Sequence, residues 1–261
     1  MKLGVIIPAA GQSHRFGDRD KLAEDLGGRP LLLRTVEFFT KREDVTEIIV
    51  AGDSQDFEGF QERFGPALSF HGVKLIQGGT TDRWESVQKA LHEMSTEVDR
   101  ILVHDAARPA LDNKLFDQLL LASKDHSAVA PAIPIQGTVK RTHEKAIIVG
   151  DEDAIADAIL GDSTQSKVSL FEVKETIDRS SLWELQTPQI FDPLLIRKAY
   201  EQSDLHGCTD DAQVIEKLKE PVYLIEGDSR NIKVTTQQDF KLLQAILGVR
   251  IDRERPAHKR F

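Results

Sequence analysis

The stretch "IIPAAGQSHRFGDRDKL", residues 6–22, joins three small residues, Ala9, Ala10 and Gly11, to a loop carrying Arg15, Arg19 and Lys21. Small residues after an apolar run let a ligand approach the main chain closely. Successive backbone N–H groups in such a turn form a concavity for an anion. Arg15 and Lys21 beyond it add side-chain charge. The chemistry indicated is binding of a small, highly charged ligand, with a triphosphate the natural guest. Two familiar phosphate loops do not fit. Only Gly11 and Gly17 are present, so the pattern is not G-x-G-x-x-G. Five residues separate those glycines where a Walker A loop has four, and Asp18 follows in place of lysine.

The elements that must position this loop follow from periodicity. "LGVIIP" (3–8), "TEIIVAG" (46–52), "VKLIQGG" (73–79), "RILVHDA" (100–106) and "SAVAPAI" (127–133) read as buried strands. Amphipathic helical spacing recurs at 30–42, 83–94 and 112–123, the first opening on Pro30. Strands alternating with helices imply right-handed crossovers and an α/β architecture, a doubly wound, mostly parallel sheet. Such sheets bind ligands at the carboxyl ends of their strands. "PAAG", "QGG" and "HDAARP" each follow a predicted strand, so all three are expected to converge on one crevice. From about 135 to 180 the pattern breaks, which predicts a β-arm with a short helix at "DAIADAIL". Helices are expected near 193–202, 209–219 and 237–247, with strands near 222–226 and 230–235. Residues 1–248 read as one domain including a 136–180 arm, followed by a polar tail at 249–261.

The bulk numbers bound the function. A chain of 261 residues with 40% hydrophobic and 30% charged residues is globular. A net charge of −9 argues against nucleic-acid binding, which needs a basic face. The apolar run of "MKLGVIIPAAG" is too short to cross a membrane and lacks signal-peptide architecture. The single cysteine, Cys208, excludes an internal disulfide and a multi-cysteine zinc site, so a cytoplasmic location is expected. His104 reads as a hydrogen-bonded core residue, and "DED" at 151–153 as a solvated acidic turn.

"PAAGQSHRFGDRDKL", "GGTTDRWESV", "VHDAARP", "TVKR", "TIDRSSLWELQTPQIF", "TDDA" and "EGDSRNIKVTTQQD" occur in this order. Together they resemble the 2-C-methyl-D-erythritol 4-phosphate cytidylyltransferase family over residues 3 to about 247, apart from roughly 143–174. The resemblance implies a Rossmann-like sheet of nucleotidyltransferase type with a protruding β-arm. It implies transfer of a cytidylyl group from CTP to a sugar-alcohol phosphate, with Mg²⁺ or another divalent cation and release of pyrophosphate. In that pattern Arg15 and Lys21 grip the CTP phosphates, and Lys233 reaches the α-phosphate from the opposite side. Ala9, Ala10, Gly11, Gly79, Arg83, Ser86 and Ala106 surround the nucleotide, and Asp105 faces both substrate and metal. Asn231 assists the metal by analogy with wider nucleotidyltransferases. Asp105, Arg108, Thr138, Arg179, Thr187 and Thr209 meet the acceptor, two of them (Thr138 and Arg179) from an arm that crosses to a second subunit, so a homodimer is implied.

The chain departs from the family pattern at Ser13, at Asp20-Lys21-Leu22, in the spacing before Arg83, and at Gly137 with about two dozen extra residues after it. The altered arm leaves ribitol 5-phosphate open as the acceptor. The changes near Ser13 and Arg83 leave open a non-catalytic nucleotide-binding protein on the same scaffold.

Overall fold

The structure is a computed structural model, and it describes residues 1–11, 14–17, 19–149 and 168–249. Ser13, the "DED" turn, the helix expected at "DAIADAIL" and the tail from 250 lie outside the described residues. The chain forms two compact units, Met1–Ile133 with Leu185–Phe261, and Pro134–Glu184.

In chain order the first unit opens with β1 (Leu3–Pro8), α1 (Leu31–Thr40), β2 (Val45–Gly52), α2 (Phe57–Phe70), β3 (Lys74–Gln77), α3 (Arg83–Glu93), β4 (Arg100–Val103), α4 (Asn113–Ala122) and β5 (Ala128–Pro134). The second unit holds β6 (Val139–Thr142), β7 (Ile147–Val149), β8 (Val168–Leu170) and β9 (Val173–Ile177), and β10 (Trp183–Leu185) leads out of it. The first unit then closes with β11 (Gln189–Phe191), α5 (Pro193–Tyr200), α6 (Asp211–Glu216), β12 (Tyr223–Glu226) and α7 (Gln237–Ile246).

The sheet of the first unit runs β3–β2–β1–β4–β11–β5, with β12 beside β5. β1 pairs in parallel with β2 and β4, β2 with β3, and β12 with β5. β11 runs antiparallel, wedged between β4 and β5. The continuous apolar run of β1 has a simple cause. Val5 and Ile7 enter one core cluster and Ile6 the other, so both faces of the strand are covered. Helices α1, α2, α4 and α7 supply the first cluster through Phe39, Phe60, Phe116 and Phe240. Helices α3, α5 and α6 supply the second through Val87, Ile196 and Val214. That is the doubly wound arrangement expected.

Three local findings differ from the sequence reading. α2 is a full helix where none was expected, capped by Asp56, whose Oδ1 accepts from Gly59 N at 3.2 Å. The strand expected at 230–235 joins no ladder among the described residues. Instead the segment is tied by Val234 N donating to Ala107 O at 2.9 Å. Strands β3 and β4 end early, at Gln77 and Val103, which releases Gly78-Gly79 and "HDAARP" as loops.

The second unit is a nested ribbon. β6 pairs antiparallel with β9, Val139 opposite Ile177, and β7 pairs antiparallel with β8, Ile147 opposite Leu170. Arg141 and Glu175 bridge the outer pair at 2.7 Å. Among the described residues no helix is long and apolar enough to cross a membrane.

Candidate active site

The carboxyl ends of four parallel strands surround a cavity of about 380 Å³ in the first unit. Its wall takes Pro8–Gly11 from the end of β1, Asp53–Gln55 from beyond β2, Gly79–Arg83 from beyond β3 and Asp105–Ala107 from beyond β4. Lys21 and Lys233 enter from loops distant in sequence. Ala9, Ala10, Gly11, Lys21, Gly79, Arg83, Ser86, Asp105, Ala106 and Lys233 therefore share one cavity.

Small residues are required where the wall is tightest. A Cβ on Gly78 would stand 2.6 Å from both Ala10 Cβ and Gly52 O. The Gly79 N–H donates to Ser86 Oγ at 2.8 Å, while the Glu85 carboxylate accepts from Thr80 N at 2.7 Å and Thr81 N at 3.2 Å. The turn is thus built against the first turn of α3, which fixes the backbone groups it presents to a ligand.

Asp105 is the electrostatic centre. Its Oδ2 lies 2.9 Å from Lys233 Nζ and 3.3 Å from Arg108 Nε, and its Oδ1 lies 3.4 Å from Arg83 Nε. Burial pushes this carboxyl up, but the charges of Arg83, Lys233 and Arg108 outweigh burial and hold it well below the usual carboxylate range. The Lys21 ammonium is lowered by burial first and by Lys233 next, with Arg15 adding to the repulsion and Asp105 and Asp20 opposing it. That pattern is the signature of several cations sharing one enclosed space. Arg15 sits on a 3₁₀ turn (His14–Phe16) and is exposed, so it acts on Lys21 without lining the cavity.

The remaining predicted residues are placed differently. Arg108 is buried, with Nη1 donating to Asn231 O at 2.7 Å, so it braces Asp105. Thr187 is buried, and its Oγ1 accepts from Asp105 N at 3.0 Å and meets His104 Nδ1 at 3.0 Å. His104 is fully enclosed, its Nε2 2.9 Å from Arg108 O, and burial lowers its pKa to about 4, so it is a neutral structural residue. Thr209 is exposed and bonds Gln213 Oε1 at 3.2 Å. Thr138 and Arg179 belong to the second unit, where they flank the same end of the β6–β9 pair.

Sequence reasoning missed two groups. Asp53 and Ser54 line the cavity just past β2, where the same strand-end rule would have found them. Asp211, fully buried, receives Arg83 Nη1 at 3.0 Å and Nη2 at 2.8 Å. Asp211 lies in the "TDDA" motif, but nothing local signals that its partner is 128 residues away.

Among the described residues no cluster of three or more acidic, histidine or cysteine side chains could hold a metal alone. Asp53, Asp82 and Asp105 line the cavity, and one carboxylate of such a wall is enough for Mg²⁺, because that ion is commonly held by one or two carboxylates together with substrate phosphates. Asp105 fits such a role. Asn231 Oδ1 is buried with no partner among the described residues, and its Nδ2 donates to Thr187 O at 2.8 Å.

A doubly wound sheet with a cation-lined crevice at its strand ends suits a phosphate-bearing ligand, which is what an α/β nucleotidyltransferase requires. The family model for 2-C-methyl-D-erythritol 4-phosphate cytidylyltransferase matches residues 3–156 and 154–249. A curated protein of that name from Geobacillus kaustophilus (strain HTA426) is 32% identical over 254 residues, covering 96% of this chain and 99% of the relative. One from Trichodesmium erythraeum (strain IMS101) is 32% identical over 248 residues, covering 94% and 98%. The crystal structure of the Thermus thermophilus protein of that name aligns with a TM-score of 0.69 at 27% identity, covering 95% of this chain and all of the other. The chain belongs to the 2-C-methyl-D-erythritol 4-phosphate cytidylyltransferase family.

Proposed function

We propose that the cavity binds CTP and that the chain transfers its cytidylyl group to the phosphate of 2-C-methyl-D-erythritol 4-phosphate, releasing pyrophosphate and forming CDP-methylerythritol for isoprenoid synthesis. The observation that carries this reading is the meeting of Lys21 and Lys233 around Asp105 in one strand-end cavity. The attacking group is a phosphate oxygen already ionised near neutral pH, so no general base is needed. The difficulty is to bring one anion against another and to hold charge on phosphorus as the bond changes. Positioning and preorganised cations do that work.

In this reading the backbone at Ala9–Gly11, Gly79 and Ala106, with Ser86 and Arg83, holds the nucleoside. Lys21 holds the triphosphate from the cavity wall, and Arg15, on its exposed turn outside the cavity, meets it from the solvent side. Lys233, only half-buried and 2.9 Å from Asp105, exchanges that carboxylate for the α-phosphate when nucleotide enters. Asp105, released by Lys233 while still paired with Arg83 and Arg108, is the residue that would hold Mg²⁺ beside the phosphates; a bound Mg²⁺ would supply further neutralisation of the triphosphate. Arg108 and Thr187 brace the Asp105 loop. Arg179, Thr138 and Thr209 complete the acceptor side, Thr138 and Arg179 reaching a second subunit through the 136–180 arm of a homodimer. Residues 1–248 then act as one transferase domain in the cytoplasm.

The family match supports methylerythritol phosphate over ribitol 5-phosphate as acceptor. Purified chain incubated with CTP, Mg²⁺ and each acceptor, with pyrophosphate release followed, tests the assignment. Turnover with methylerythritol phosphate is expected, and turnover with ribitol 5-phosphate alone rejects it.

A further inference from the structure

Arg83 commits both Nη groups to Asp211, at 3.0 and 2.8 Å, and leaves only Nε for Asp105, at 3.4 Å. Asp211 is fully buried, and its Oδ1 also accepts from the Tyr200 hydroxyl at 2.5 Å. Its neighbour Ala212 donates its N–H to Gln189 Oε1 at 2.9 Å, which ties the start of α6 to β11, the strand beside β4. A carboxylate holding three donors on two oxygens has no freedom to turn, and neither does the guanidinium it grips. No cavity-lining role is open to Asp211 itself, because it is sealed behind Arg83.

We propose that Asp211 is a positioning residue for the reaction, holding Arg83 side-on so that Asp105 is not captured by a two-point ion pair. The proposal rests on Arg83 and Asp105 belonging to the nucleotide site. Loss of the Asp211 charge, as in an asparagine that keeps one acceptor oxygen, leaves at least one Nη donor unpaired and takes the nearest counter-charge from a part-buried guanidinium. The anions within reach are then Asp105 and the incoming triphosphate. Pairing with either strengthens or preserves ground-state binding of nucleotide while displacing the groups that must be set for transfer. The expected signature is a split between binding and turnover, which a purely structural role would not produce.

The test uses the full chain with Asp211→Asn, Tyr200→Phe, Arg83→Gln and the double variant Arg83→Gln/Asp211→Asn. The dissociation constant for CTP is measured by calorimetry, kcat by pyrophosphate release, and folding by near-ultraviolet circular dichroism. Asp211→Asn is expected to bind CTP as tightly as the parent or tighter while kcat falls ~10-fold or more, the scale of a small misplacement in a reacting complex. Tyr200→Phe is expected to move kcat in the same direction by less. In the Arg83→Gln background, Asp211→Asn is expected to cost nothing further. Weakened CTP binding with unchanged kcat in Asp211→Asn, unchanged kcat in Tyr200→Phe, or losses that multiply in the double variant would each overturn the proposal. If Asp211→Asn does not fold, the double variant, which removes both charges of the pair, decides the matter against Arg83→Gln alone. A parent chain that binds CTP without turning over either acceptor rejects the reaction reading, and the order of CTP affinities still judges Asp211.

Discussion

Replacing Lys233 with alanine separates catalysis from stability, because the two effects differ in size. The Lys233–Asp105 pair is 2.9 Å long, but the lysine side chain is 41% exposed, which screens it. Ion pairs of that exposure are worth about 0–1 kcal/mol. Asp105 also keeps Arg83 at 3.4 Å and Arg108 at 3.3 Å, so no buried charge is orphaned. A loss of at most about 1 kcal/mol lowers the melting temperature by roughly 2–4 °C in a chain of this size. A preorganised charge facing the reacting phosphate in an enclosed site is worth ~10²–10³ in kcat, or about 2.7–4 kcal/mol. The catalytic loss is therefore expected to dominate. A second readout comes from Lys21, whose ammonium is held down by burial and then by Lys233. Removing Lys233 lets Lys21 keep its proton to higher pH, so the alkaline limb of residual activity should move upward. The assay is steady-state pyrophosphate release across pH, beside calorimetric melting. Turnover within about threefold of the parent, far short of the loss typical of a missing transition-state donor, would refute the reasoning, as would an unmoved alkaline limb.

Gly78→Ala should destabilise the protein by ~1–3 kcal/mol through overpacking, since its new carbon would meet Ala10 and the Gly52 carbonyl at 2.6 Å, and should weaken CTP binding measured by calorimetry. His104 stays neutral in the folded chain down to about pH 4, while an ordinary histidine takes a proton near 6.5. The unfolded chain therefore binds the extra proton first. Stability is expected to fall as pH drops from 6.5 to 4, by about 3 kcal/mol, with no further His104 contribution below that. Urea unfolding of the parent and His104→Gln across this window checks it, and parallel curves refute it. Arg179→Ala should raise KM for the acceptor more than it weakens CTP. Mixing inactive Lys21→Ala and Arg179→Ala chains should restore activity, and failure to do so while subunits exchange removes the shared-site reading.

Much of the scaffold was legible because burial on both sheet faces leaves an unbroken apolar signature, as in "LGVIIP". The strand-end rule then located three of the cavity's walls. What escaped had physical reasons. Helix α2 carries Gly59, Gly65 and Pro66, residues that disfavour a helix interior, yet Phe60, Phe64 and Leu68 recur at helical spacing and all three are buried. The alternation of Ile232 and Val234 mimicked a strand, but Val234 N bonded to Ala107 O is a single main-chain tie, and side-chain contacts from Arg108, Asn231 and Lys233 rather than a ladder hold the segment. β11 is three residues long, too short for any periodicity. Lys21 was read directly as a cation beyond the small-residue turn, and the strand-end rule placed the segment carrying Asp105; Lys233 was reached only through motif resemblance, and Asp211 and Tyr200 meet around Arg83 only after folding.

The second unit's hairpin-within-a-hairpin topology separates two kinds of change. Val139 and Ile177 close the ribbon at its root, next to Thr138 and Arg179, while residues 150–167 fall between β7 and β8, at the opposite end of the chain path. Residues gained or lost there leave the Val139–Ile177 pairing in register. The length of the segment between β7 and β8 can thus change with no slip in the pairing that flanks Thr138 and Arg179.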